Sequence, residues 1–168
     1  MDYPDIDKKV LVQILNGFIR SVLSSMETMV FTQAKRVDIY LKDTKKPMEG
    51  DISGIISLFG DLNGTCAISF PRALAVKLIS KMLMDDTLDD INDDVKDGIG
   101  EIVNLTAGGA KSDINSILGT DTKITTPTII TGINHSVEHQ DKIPCIGCVF
   151  EAEGMKFFME IAVYTDKK

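Results

Sequence analysis

ISGIISLFGDLNGTCAISFP, residues 52–71, is the stretch on which the fold turns. Residues 52–59 are rich in β-formers, Gly60, Asp61, Asn63 and Gly64 suit a hairpin loop, and residues 65–70 return as a second strand. Pro71 is suited to the start of a helix over residues 72–84, because its missing N–H is not needed there. Upstream, Val37, Ile39 and Leu41 alternate as a strand does, and Lys45, Lys46, Pro47 and Gly50 mark a turn. Before them Ile14, Phe18, Val22 and Met29, widened by Leu11 and Leu15, recur at the helical period and predict an amphipathic helix over residues 6–29.

The same order recurs downstream. Residues 85–97 contain seven aspartates, which favour the positive amino-terminal end of a helix expected from about residue 93 to 117 and stopped by Gly119. Strands are expected at residues 123–131, 143–151 and 155–163, the last two joined at Gly154. Ile52, Ile55, Leu58 and Phe59 match Ile143, Ile146, Val149 and Phe150 at an offset of 91, with Gly64 and Gly154 in corresponding turns. The expectation is two pseudo-symmetric halves, each a helix plus three strands, sharing a sheet in a single domain over residues 1–168. Convergent β patterning is the alternative account of the matches.

Composition bounds the function. A hydrophobic content of 43% in 168 residues supports a packed core and excludes disorder. No apolar run approaches the roughly 18 residues of a membrane span, no basic leader precedes one, and three cysteines lack framework spacing. A cytoplasmic protein is expected. The net charge of −7, without a basic stripe, disfavours nucleic acid and anionic membranes and admits a protein partner that presents a lysine.

On the helix at 93–117, Ile99, Ile102, Val103, Ala110, Ile114 and Ile117 are read as an apolar face, whereas Asp97, Glu101, Asn104, Gly108 and Asn115 fall within about a 60° stripe elsewhere. Residue types alone leave a solvated helix face as the plainer reading. Gly108 and Gly109 each cost roughly 1 kcal/mol against alanine in a helix interior, so their pairing points to a close approach or a bend. The word Asp97-Gly-Ile-Gly-Glu101-Ile-Val-Asn104-Leu-Thr-Ala-Gly-Gly-Ala-Lys resembles the helix motif of the CheC, CheX and FliY family of chemotaxis phosphatases: Asp or Ser, three residues, Glu, two residues, Asn.

The resemblance spans nearly the whole chain and implies an α+β fold with one antiparallel sheet. It further implies hydrolysis of phosphoaspartate on a CheY-type response regulator, with Asn104 placing the attacking water and Glu101 binding the partner's lysine. No cofactor in this chain is implied; Mg²⁺ is expected in the partner receiver domain. The first helix carries Gln13-Ile-Leu-Asn16 at the corresponding place, so one intact site remains, as in the CheX branch. Asp97 is also explained as electrostatic trim near a helix start. The resemblance implies a homodimer through sheet edges; a monomer whose edges are guarded by Lys42, Lys45, Lys46, Lys123 and Lys142 is the alternative. The rival function is a non-catalytic module that binds a receiver domain or signalling complex.

Other signals carry less. His135, His139, Cys145 and Cys148 invite a zinc site, but residues three apart on a strand point to opposite faces, which separates the two cysteines. Asp90, Asn92, Asp94 and Glu101 have calcium-loop spacing, yet Val95 stands where the turn requires glycine. The two histidines have no nucleophile or acid at a catalytic spacing.

Overall fold

The computed structural model describes residues 6–42, 48–133, 135, 137, 139 and 143–165. These form helices α1 (Lys8–Val30), α2 (Arg72–Leu83) and α3 (Asp93–Leu118), and strands β1 (Ala34–Leu41), β2 (Ile52–Gly60), β3 (Asn63–Phe70), β4 (Thr122–Ile124), β5 (Thr128–Thr131), β6 (Cys145–Ala152) and β7 (Met155–Tyr164). The strands make one antiparallel sheet in the order β1-β6-β7-β3-β2-β4, with β5 also on β2. The order is symmetric about the β3–β7 contact. Each half sends its first strand to the other half, β1 to β6 and β4–β5 to β2, so neither half completes its sheet alone.

The helices pack on one face of that sheet. Ile14, Phe18, Val22 and Met26 of α1 and Ile99, Ile102, Val103 and Ile114 of α3 join Ile52, Ile56, Ile68, Phe70, Cys148, Phe150, Phe157 and Met159 in one core. Phe70 and Phe150 stack on Phe157 at centroid distances of 5.0 and 5.1 Å, and each buried phenyl ring contributes about 1.5–3 kcal/mol. Helix ends follow local chemistry. The Asp7 carboxylate accepts from the N–H groups of Lys9 and Val10 at the start of α1, and Asn92 accepts from Val95 N–H at the start of α3. Gly119 closes α3 with a left-handed φ of 66°. The Arg72 N–H at the start of α2 is taken by Asp51 Oδ2 at 2.8 Å.

Three expectations need correction. The offset of 91 is out of register, because the helix-facing residues are Ile52, Ile56 and Leu58 in β2 and Ile146, Cys148, Phe150 and Ala152 in β6. All are even-numbered, so only an even offset superposes like faces; an odd one sets a core residue against an outward one. Gly64 is not the turn residue either: it lies inside β3, where an added Cβ would come within 2.0 Å of the Ala162 carbonyl oxygen, while Gly154 does occupy its turn with φ 74°. Finally, the strand expected over 123–131 is broken. Leu58 pairs with Ile124 and Ile55 with Thr128, so this edge carries one residue more than β2 over the same span. Thr125 Oγ1 takes the Ser57 N–H there, and Pro127, which has no N–H to give, marks the bulge. Lys45, Lys46, Pro47 and Lys142 lie outside the described residues.

Candidate functional site

Helix α3 is positioned from three sides by residues too small to hold it away. An added Cβ on Gly54 would lie 2.5 Å from Val103 Cγ2, so α3 presses directly onto β2. At Gly98 a Cβ would meet Ile79 Cδ1 at 2.5 Å, which lets α2 close on the helix start. At Gly109 it would meet Ser21 Oγ at 2.4 Å, where α1 crosses antiparallel to α3. The Ser21 hydroxyl donates to the Thr106 carbonyl at 2.6 Å, and Arg20 reaches Asp113 at 3.1 Å. The spacing that sets Gln13 and Asn16 against Glu101 and Asn104 also sets Ser21 against Gly109, so the crossing lies on the pseudo-two-fold axis.

With Val95, Ile99, Ile102, Val103, Thr106, Ala107, Ala110 and Ile114 buried, helical geometry turns Asp97, Glu101 and Asn104 outward. All three are exposed, and none has a hydrogen-bond or ion-pair partner among the described residues. Glu101 and Asn104 are one turn apart on this ridge. Gly108, a further turn on, has nothing within 4 Å of where its Cβ would be. Leu105 beside them is 46% exposed. The Glu101 carboxylate and the Asn104 carboxamide are thus exposed beside open space at Gly108, with no partner among the described residues. Gly109 thus fulfils the expected close approach, from α1, and Gly108 leaves clearance.

Two residues of the sequence reading do not belong here. Asn115 is structural: its Oδ1 accepts from Thr122 N–H and the Thr120 hydroxyl, and its Nδ2 donates to the Thr122 carbonyl. Ile117, expected in the apolar face, is 49% exposed near the helix end. Gln13 and Asn16 of α1 are exposed, as Glu101 and Asn104 are.

The four residues weighed as a zinc set do not converge. Cys148 faces the helices, while Cys145 faces the opposite side of the sheet, and His135 Nε2 lies 2.6 Å from Ser53 Oγ. On that opposite face, however, His139 and Cys145 meet Glu160, a residue the sequence reading missed. Glu160 is fully buried on β7 and accepts from Lys42 at 2.6 Å, Tyr40 at 3.0 Å and His139 at 3.2 Å. Burial alone would raise its carboxyl, but the hydrogen bonds from His139, Lys42 and Tyr40 and the Lys42 charge hold it below the usual range. Burial, together with the Glu160 charge, pushes the Cys145 thiol up to about 12 and the Tyr40 phenol upward as well.

The fold is that of the CheC-like class of α+β modules. The chain belongs to the family described as chemotaxis phosphatase CheX, whose sequence pattern matches residues 52–151. Among solved structures, a CheC-like superfamily protein from Shewanella sp. PV-4 is 29% identical, with a TM-score of 0.82 over 90% of this chain and 97% of that one. A chemotaxis protein CheX from Desulfovibrio desulfuricans is also 29% identical, with a TM-score of 0.80 over 89% and 98%. The CheX–CheY–BeF3–Mg²⁺ complex from Borrelia burgdorferi contains a chain of the same fold, 22% identical, with a TM-score of 0.74 over 90% and 97%. No curated protein sequence matches the chain. No helix among the described residues is long and apolar enough to cross a membrane.

Proposed function

We propose that this chain accelerates hydrolysis of phosphoaspartate on a CheY-type receiver domain, with Asn104 and Glu101 as the working pair. The observation that carries the reading is their placement: two exposed side chains, one turn apart, without partners among the described residues, beside an open Gly108. Family membership supports the phosphatase class. The Borrelia burgdorferi relative, seen with CheY, BeF3 and Mg²⁺, supports the partner.

In this reaction water attacks phosphorus as the bond to the aspartate carboxylate breaks, giving free carboxylate and dihydrogen phosphate that carries both water protons. The receiver supplies Mg²⁺ and a lysine for the departing charge, so this chain need only fix the water in line. The Asn104 carboxamide accepts from one water O–H through Oδ1 and donates through Nδ2, without ionising. Phosphoryl transfer answers chiefly to positioning and electrostatics, and one oriented group is worth roughly 2.7–4 kcal/mol. Glu101 pairs with the receiver's lysine and sets the depth of insertion. Asp97, exposed a turn earlier, adds to the negative field that draws this partner in.

The test is phosphate release from a phosphorylated receiver with and without the full chain, alongside direct binding. Faster release with weaker binding by Glu101→Ala supports the proposal. Binding without faster release would make the chain the non-catalytic module instead. We further propose a cytoplasmic homodimer through the edge strand β1, which pairs with β6 alone among the described residues and where Val37, Ile39 and Leu41 are 43%, 40% and 76% exposed.

A further inference from the structure

The ligand atoms of His139, Cys145 and Glu160 lie within 4.8 Å of one another on the face of the sheet away from α3. They come from three separate places, the segment after β5, the start of β6 and the middle of β7, and the topology alone brings them together. We propose that they form a divalent metal site of zinc type, with one imidazole, one thiolate and one carboxylate as protein ligands and a fourth position for water.

The donor set fits zinc, which takes nitrogen, sulfur and oxygen ligands in a tetrahedron. His139 Nε2 and Glu160 Oε2 are 3.2 Å apart, close to the roughly 3.3 Å edge that bonds of about 2.0 Å make in such a tetrahedron. The surroundings are those of a ligand site. His139 Nδ1 lies 2.7 Å from Thr65 Oγ1, so with metal on Nε2 the Nδ1–H donates to that hydroxyl and fixes the ring. Glu160 binds through Oε2, because Oε1 is already held by the Tyr40 hydroxyl and the Lys42 ammonium. Gly147 is needed for this: an added Cβ would lie 2.1 Å from Tyr40 Cζ, so only glycine lets the Tyr40 ring lie against the sheet and reach Glu160. Lys42 opposes a cation but balances the two anionic ligands, so metal, thiolate, carboxylate and ammonium together leave one positive charge. Binding expels the Cys145 thiol proton. The metal ties His139 to β6 and β7, a structural role independent of Glu101 and Asn104.

Cobalt(II) reads the site directly, because a thiolate ligand gives a near-ultraviolet charge-transfer band that surface carboxylates and imidazoles do not. The full-length protein should take up one equivalent of Co²⁺ with that band, and Zn²⁺ should displace it. Cys145→Ser and His139→Ala should bind at least tenfold more weakly, and Cys145→Ser should lose the band. Cys148→Ala, altered on the other face, should keep both. Co²⁺ uptake without a thiolate band, or a band that survives in Cys145→Ser, overturns the proposal, and phosphatase assays do not enter the test.

Discussion

Replacing Gly108 by alanine should stabilise the protein, and replacing it by tryptophan should disarm it without unfolding it. Nothing lies within 4 Å of a Cβ at this position, so alanine meets no clash and recovers the helix-interior penalty of glycine, about 1 kcal/mol. For a domain of this size that corresponds to a rise in Tm of about 2–4 °C. Tryptophan starts from the same open Cβ position, and on the proposed docking its ring fills the clearance beside Asn104 and Glu101. Thermal unfolding by circular dichroism, paired with phosphate release from a phosphorylated receiver, separates the two effects. Gly108→Ala should unfold later and keep its activity, whereas Gly108→Trp should unfold within a few degrees of the parent and lose most stimulated hydrolysis. A Gly108→Trp protein as active as the parent would refute the placement of the docking ridge.

Gly98→Ala should move stability the other way, by about 1–3 kcal/mol in urea denaturation, since its Cβ would meet three atoms of Ile79 within 3.0 Å. Glu160 sets an acid limb: its folded pKa lies below the unfolded value, so its contribution is present above about pH 4.3 and is lost as pH falls through the folded pKa. Glu160→Gln should therefore flatten stability against pH in that acid window, and at neutral pH it should cost about 3–5 kcal/mol by stranding the buried Lys42 ammonium. Unchanged acid denaturation profiles would contradict this role. Leu41→Asp on the β1 edge should shift the mass from a dimer to the single-chain 18.4 kDa by light scattering, and a parent already at that mass would remove the dimer.

Much of the fold was legible because its helices announce themselves locally. The 3.6-residue stripe of Ile14, Phe18 and Val22, the aspartates before α3 and Gly119 after it each act within a few residues. Strand register was not legible, because β2 and β3 carry apolar side chains on both faces: Ile55 and Ala67 pack under Met48 and Val137, opposite the helices. Face alternation is therefore blurred in the sequence, and offsets one residue apart look alike. Pro127 was a usable sign of the broken edge strand. On α3, the stripe of Asp97, Glu101 and Asn104 follows from periodicity alone, but the capping role of Asn115 depends on where β4 returns. Glu160 was hidden because its partners Tyr40, Lys42 and His139 stand far from it in sequence and meet only across the sheet. Of the four residues with zinc-like spacing, His139 and Cys145 meet beside Glu160 whereas Cys148 lies on the other face and His135 is held at Ser53, because strand alternation separates the two cysteines.

The central claim is that an exposed carboxamide on α3 places the water that hydrolyses a receiver's phosphoaspartate. Its most direct test is single-turnover decay of a phosphorylated CheY-type receiver held saturated with Asn104→Ala protein, with binding measured on the same samples. Removing one oriented group should slow the stimulated decay by about two to three decades while binding and thermal unfolding stay near those of the parent. Decay as fast as with the parent chain, at equal occupancy, would contradict the account.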